Sequence, residues 1–370
     1  MTTNEKALLM HEEWNGKIET VSKSPVKSRE DLSIAYTPGV AEPCNVIAKD
    51  KEAAYKYTMK ANTIAVVSDG SAVLGLGNIG PYAAMPVMEG KAVLFKEFGG
   101  VNAVPICLDT QDTEEIIKAV TYLAPGFGGI NLEDIKAPEC FEIERRLKEE
   151  LDIPVMHDDQ HGTAVVTLAA LINATARVDV DLRDSVVGQI GLGAAGIGIA
   201  RLLRSYGVKR VLGADIHPHA IERLERFGGE GRSLDALMAE ADIVIATTGV
   251  PGLIKPEKVR PGQIILALSN PEPEIAPRRA LQQGAIFAAD GGSVNNALGF
   301  PGLFRGALEA RATQFTDEML FAAANALAEL TPTDALVHYV LDLEVHSKVA
   351  EAVKEAALGL GSRGTLRLSI

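Results

Sequence analysis

The sequence predicts an α/β protein in two domains. Three features carry that expectation. Short apolar runs alternate with helical patterns along most of the chain, a glycine-rich turn in the second half separates one such run from a helix, and 370 residues suit two domains better than one. Composition agrees: 47% of residues are hydrophobic and 23% charged, ordinary for a globular protein with full cores.

Residues 5–57 read as helices and loops, broken by Pro25, Pro38 and Pro43. Strands are predicted at 63–67, 103–108, 129–132 and 153–156, with helical patterns at 113–123 and 138–151 between them. An apolar helix follows over 161–175, and its start sets the boundary between a first domain, 1–160, and a second, 161–370. The second series places strands at 185–190, 210–214, 243–247, 263–268 and 285–288. An alanine-rich helical tail, 316–358, is interrupted at Pro332 and could pack on either domain.

Several classes of function are disfavoured. The net charge of −13, from 49 acidic and 36 basic residues, speaks against a nucleic-acid or anionic-membrane partner. Cys44, Cys107 and Cys140 make a poor disulfide framework or zinc site and read as small buried hydrophobes. The first residues lack a signal-peptide core, and no apolar stretch reaches the ~18 residues of a membrane span. The cytoplasm is the default compartment.

Two stretches match G-x-G-x-x-G, Gly75 to Gly80 and Gly191 to Gly196. The second has an apolar strand before it, a helix from Ile197 to Tyr206 after it, and a further strand ending at Asp215, close to the spacing of about 20 residues expected in a dinucleotide-binding unit. Gly191 permits the tight turn, Gly193 lets backbone approach a pyrophosphate, and Gly196 lets helix and strand pack closely. The helix N-terminus, at Ala194 and Ala195, offers free N–H groups to the phosphates. Asp215 would bind the ribose hydroxyls, favouring NAD over NADP; His217, His219 and Arg223 could compensate for a 2′-phosphate. The first match lacks this setting and reads as a glycine-rich turn near the site.

Two acid pairs follow predicted strands, Glu133-Asp134 and Asp158-Asp159. Ligands of open parallel sheets bind beyond the carboxyl ends of strands, and an all-oxygen set suits Mg²⁺ or Mn²⁺ rather than zinc. The same acids could instead cap the following helices, and spacing alone leaves both readings open. Lys91, at the head of an apolar run, and Tyr36, in a turn-rich segment, are candidates for proton transfer. Partial burial beside a metal would lower the Lys91 pKa toward base function. Without further context, a solvated lysine and a packing tyrosine are the simpler readings.

Taken together, these residues resemble the malic enzyme family in its short bacterial and archaeal form. The resemblance covers nearly the whole chain, through Ala35–Val40, Val67–Gly70, Leu74–Gly80, Gly90-Lys91, Asn131–Asp134, His157–Thr163, the second glycine match, Leu268–Pro271 and Val294–Asn296. It implies an N-terminal α/β domain for substrate and metal, and a Rossmann-type dinucleotide-binding domain with C-terminal helices. It implies oxidative decarboxylation of (S)-malate to pyruvate and CO₂, with NAD (NADP possible) and Mg²⁺ or Mn²⁺.

By that resemblance Lys91 takes the C2 hydroxyl proton, Tyr36 protonates C3 of the enolate, and Glu133, Asp134 and Asp159 hold the metal. Asp158 orients Asp159 or Lys91, while Asn270 and Asn296 bind malate and nicotinamide. Family members are dimers or larger, so a homo-oligomer is expected. Two features depart from the pattern: Ala72 stands where larger members carry a carboxylate-gripping arginine, and the loop 289–293 is short. A malolactic variant, which retains NADH and releases lactate, and a dinucleotide-sensing protein without catalysis are the competing readings.

Overall fold

The computed structural model describes residues 1–333 and 335–359. Helices α1 (Thr3–Trp14), α2 (Arg29–Ala35), α3 (Ala41–Lys49) and α4 (Ala54–Tyr57) come first. Thr2 with Glu5, and Ser28 with Asp31, form reciprocal capping boxes that start α1 and α2. Pro43 does not interrupt this region as expected. It lies in the first turn of α3, where its missing N–H has no helical partner to lose. None of these four helices has a buried residue.

The first α/β series runs β1 (Thr63–Ser68), α5 (Gly80–Gly99), β2 (Asn102–Cys107), α6 (Thr113–Leu123), β3 (Gly129–Leu132), α7 (Glu139–Glu150) and β4 (Val155–His157). Its four strands form a parallel sheet in the order β2-β1-β3-β4. Every residue of β1 and β3 is buried, as a parallel sheet covered on both faces requires.

The second series runs α8 (Asp158–Arg177), β5 (Val186–Ile190), α9 (Ala194–Tyr206), β6 (Arg210–Ala214), α10 (Pro218–Glu225), β7 (Glu230–Gly231), α11 (Leu234–Glu240), β8 (Ile243–Ala246), β9 (Ile264–Ala267), α12 (Pro277–Gln282) and β10 (Phe287–Asp290). All its pairs are parallel, in the order β10-β9-β8-β5-β6-β7. This is the doubly wound dinucleotide arrangement, with its direction reversing between β5 and β8. The helix expected from residue 161 begins three residues earlier, at Asp158, so both acids of that pair lie in its first turn.

Three helices close the described chain: α13 (Phe300–Ala310), α14 (Asp317–Leu330) and α15 (Leu343–Ala357). They serve both halves, since α13 and α15 pack on α5 while α14 packs on α8. Phe95 of α5 meets the rings of Phe300 and Phe304 at 4.7 and 5.4 Å, contacts each worth about 0.5–1.5 kcal/mol beyond their burial. The cysteines are mixed rather than uniformly buried: Cys140 is buried, Cys107 half-buried and Cys44 exposed on the N-terminal helices. Among the described residues no helix is long and apolar enough to cross a membrane.

Candidate active site

The ends of β3 and β4 deliver the two acid pairs to one point. An oxygen from each of Glu133, Asp134 and Asp159 lies within 4.8 Å of the others. Helix capping does not explain them. Asp134 has φ +53° and sits ahead of a cap position held by Pro138, while His157 takes the cap position of α8. The Asp134 N–H donates to Asp159 Oδ2 at 3.1 Å, which folds the two acids together. Burial, then the charge of Asp159, pushes Asp134 up to about 7. Glu133 is also raised, by burial and by Asp158 and Asp159 against the pull of Lys91. Buried carboxylates this crowded call for a positive charge among them, and the oxygen-only donor set fits Mg²⁺ or Mn²⁺.

Lys91, buried on α5, places Nζ 2.7 Å from Asp158 Oδ2 and 2.9 Å from Glu133 Oε1. It also lies 3.9 Å above the Phe300 ring. The expected lowering of its pKa is not what the protein alone produces. Burial does push it down, but Asp158 and Glu133 outweigh that and hold the ammonium charged. Asp158 is the residue that orients Lys91, and its Oδ2 also accepts Asn296 Nδ2 at 2.8 Å. Gly162, one turn along α8, makes room for that carboxylate: a Cβ there would lie 2.0 Å from Asp158 Oδ1.

Sequence reasoning passed over Glu144, which fastens the start of α8. This buried carboxylate accepts the His157 N–H at 3.0 Å and pairs with His161 at 2.8 Å and Lys148 at 2.9 Å.

On the opposite wall, Gly191 has φ +84°, and a Cβ on Gly196 would lie 1.9 Å from the Gly191 carbonyl oxygen. No side chain fits there. Gly193 faces open space at the start of α9, leaving backbone free for a phosphate. Asp215 directly follows β6, and its oxygens accept the N–H groups of Leu192 at 2.7 Å and His217 at 2.8 Å. It therefore braces the glycine turn, and each oxygen keeps a second lone pair for a ribose hydroxyl. A second residue missed in the sequence is Glu274. Fully buried, it accepts the Thr248 N–H at 2.6 Å, the Thr248 hydroxyl at 2.8 Å and the Ser269 hydroxyl at 2.5 Å. It thereby ties the loops after β8 and β9 together.

A cavity of roughly 870 Å³ lies between the two walls, bounded by Asp134 and Asp159 on one side and by Gly193, Ala194 and Ala195 on the other. Asn270 and Asn296 both line it. So does Lys136, the one lysine or arginine among its described lining residues, and another that sequence reasoning missed. Ala72 and Leu74 also line it, so the turn at Gly75 to Gly80 does lie beside the site. Tyr36 is not brought there. It caps α2, is 68% exposed, and is absent from the cavity wall.

Comparison with known proteins agrees with this layout. Residues 15–148 match the malic enzyme N-terminal domain and 222–358 the malic enzyme NAD binding domain. Residues 157–251 also match the NAD binding domain of D-isomer specific 2-hydroxyacid dehydrogenases. The chain is 58% identical over 358 residues to NAD-dependent malic enzyme 1 of Bacillus subtilis, covering 96% of this chain and 81% of the relative. It is 47% identical to the bifunctional malic/malolactic enzyme of the same organism, covering 98% and 94%. The crystal structure of malic enzyme from Pyrococcus horikoshii superposes with a TM-score of 0.91 at 42% identity, covering 99% of this chain and 93% of that one. With both family domains matched and this identity sustained across nearly its full length, the chain belongs to the malic enzyme family.

Proposed function

We propose that this chain oxidatively decarboxylates (S)-malate to pyruvate and CO₂, reducing NAD⁺. The observation that carries the proposal is one cavity with Asp134 and Asp159 of the carboxylate trio on one wall and the glycine turn, a seat for a dinucleotide, on the other. The units 1–160 and 161–370 divide the work between substrate and cofactor. When bound, the dinucleotide accepts the C2 hydride, and a Mg²⁺ or Mn²⁺ polarises the C2 oxygen and steadies the charge left as CO₂ departs.

The chain's own residues do the rest. Glu133, Asp134 and Asp159 hold the cation. Lys91, as the neutral amine left when its ammonium gives a proton to water, accepts the C2 hydroxyl proton. Its ammonium is held charged by Asp158 and Glu133, and sharing Glu133 with a cation removes part of that hold. Asn270 and Asn296 fix malate against the nicotinamide. Lys136 meets the malate carboxylate that lacks an arginine at Ala72. Tyr36 supplies the proton for C3. Asp215, at the ribose position, favours NAD over NADP.

Initial rates with (S)-malate, NAD⁺ or NADP⁺, and Mn²⁺ or EDTA test the reading. NADH and pyruvate should form, faster with NAD⁺ and only with the metal. Purified protein that forms no reduced cofactor under these conditions refutes it. The likeness to a bifunctional malic/malolactic enzyme favours one second reading, in which lactate is released with no net NADH; product analysis separates the two.

A further inference from the structure

We infer that His157 is a positioning residue for the cation seat: its ring donates from Nε2 to Asp159, and Glu144 fixes that direction through Gln160. This rests on the reading, under Proposed function, that Glu133, Asp134 and Asp159 hold a cation. It adds a buried row of side chains behind them.

The row starts at the carboxylate of Glu144 on α7. Its Oε1 faces three donors, the His157 N–H at 3.0 Å, His161 Nε2 at 2.8 Å and Lys148 Nζ at 2.9 Å. Its Oε2 faces Gln160 Nε2 at 3.2 Å. Burial works against a charge on Glu144, but His161 and Lys148 hold it well below the usual carboxylate range. An ionised carboxylate only accepts hydrogen bonds, so the nitrogen of the Gln160 amide must face it, not the oxygen. That nitrogen also lies 3.3 Å from His157 Nδ1. An amide nitrogen only donates, so Nδ1 is the bare, accepting nitrogen of the ring. The ring proton is then on Nε2.

His157 is fully buried, and its Nε2 has no other partner. Asp159 Oδ2 lies 3.3 Å from it. The two atoms are close but not aligned, and a small turn of the partly exposed Asp159 carboxylate completes the bond. The same Oδ2 accepts the Asp134 N–H at 3.1 Å. Two donors on one oxygen fix the plane of the carboxylate. Mg²⁺ demands near-ideal geometry from its ligands, and partners behind the ligands supply that orientation. The other tautomer would set the lone pairs of Nε2 and Oδ2 against each other.

The test follows the free Mn²⁺ signal by paramagnetic resonance as the full chain is titrated. His157→Phe should weaken Mn²⁺ binding about 10–100-fold, with NAD⁺ affinity by fluorescence unchanged. His157→Gln keeps an N–H close to the place of Nε2 and should restore most of the affinity. In Glu144→Gln the three donors at Oε1 hold the new carbonyl there. Its amide nitrogen then meets Gln160, turns that side chain over and moves the ring proton to Nδ1; Mn²⁺ binding should again fall about 10–100-fold. Nitrogen-15 spectra of histidine-labelled protein read the proton directly, with the His157 signals identified by their loss in His157→Gln. Protonated Nε2 is expected in the wild type and protonated Nδ1 in Glu144→Gln, a shift that a merely structural Glu144 would not cause. Wild-type Mn²⁺ affinity in His157→Phe overturns the inference, and so does a wild-type ring protonated on Nδ1. A Glu144→Gln ring still protonated only on Nε2 overturns the part given to Glu144. If His157→Phe fails to fold, the wild-type spectrum and Glu144→Gln decide. A wild type that binds Mn²⁺ without turning over malate removes the proposed reaction and leaves His157 its role; one that binds no Mn²⁺ removes both.

Discussion

Adding one methyl group at Gly162 should disable the site from within the helix that carries it. The new Cβ would lie 2.0 Å from Asp158 Oδ1 and 2.8 Å from its Cγ, well inside van der Waals contact, so the carboxylate has to move. Asp158 is fully buried and holds Lys91 at 2.7 Å and Asn296 at 2.8 Å. Hydrogen bonds to charged groups are worth about 1.5–3 kcal/mol each. Partial loss of the pair should cost roughly 2–4 kcal/mol of stability by that measure. A displacement of Lys91 near 1 Å is enough to cost on the order of 100-fold in turnover. Gly162→Ala should therefore lower kcat about 100-fold and reduce Tm by several degrees, with dinucleotide affinity by fluorescence titration nearly unchanged. Wild-type kcat in this variant would show that the position of Asp158 does not govern Lys91.

Three further outcomes are expected. Lys136→Met should raise the KM for malate roughly 10–100-fold, the worth of one lost charge-assisted hydrogen bond, and leave the KM for NAD⁺ in place; steady-state kinetics in both substrates decide. Glu274→Gln removes the charge that the three donors on Oε1 share and puts an amide donor at Oε2, against the Ser269 N–H at 3.4 Å. It should destabilise the protein by about 2–4 kcal/mol in denaturant titrations and raise the KM for NAD⁺ roughly tenfold. The third concerns pH. Asp134 is pushed up to about 7, so between pH 4 and 7 the folded chain keeps a proton that the unfolded chain has lost. That contribution to stability fades as pH rises through this window, at no more than about 1.4 kcal/mol per pH unit. In EDTA, Tm should fall from pH 5 to pH 8, and Asp134→Asn should flatten the slope. Mn²⁺ should bind more tightly over the same rise, as protons cease to compete.

Local patterns proved legible because the forces behind them are local. The strands at 129–132 and 210–214 are bounded by their own apolar runs, and Gly191 to Gly196 announces itself through its flanking strand and helix. The acid pairs could be placed at strand ends, but their convergence depends on β3 lying beside β4, which spacing does not encode. Glu144 and Glu274 were hidden because a buried carboxylate looks like any surface acid until its donors, drawn from distant loops, are known. Lys136 sat beside Asp134 in the sequence and was missed for lack of any sign that it faces a cavity. The charged state of Lys91 in the protein alone depends on Asp158, 67 residues away, a partner that its apolar sequence neighbours could not reveal. Tyr36 was read by motif, and motif order says nothing about which way a side chain faces.

The start of α8 and the start of α9 touch backbone to backbone. A Cβ on Gly198 would lie 2.3 Å from the carbonyl oxygen of Gln160. One of these helices opens with Asp158 and Asp159, the other with the glycine turn proposed to seat the pyrophosphate. In the proposed reaction their crossing would work as a caliper, setting the span between the substrate's reacting carbon and the ring that receives the hydride. Side chains of the cavity can then be exchanged to suit other small hydroxy acids without resetting that span. A single methyl at Gly198 would open the jaws and alter transfer to every substrate alike.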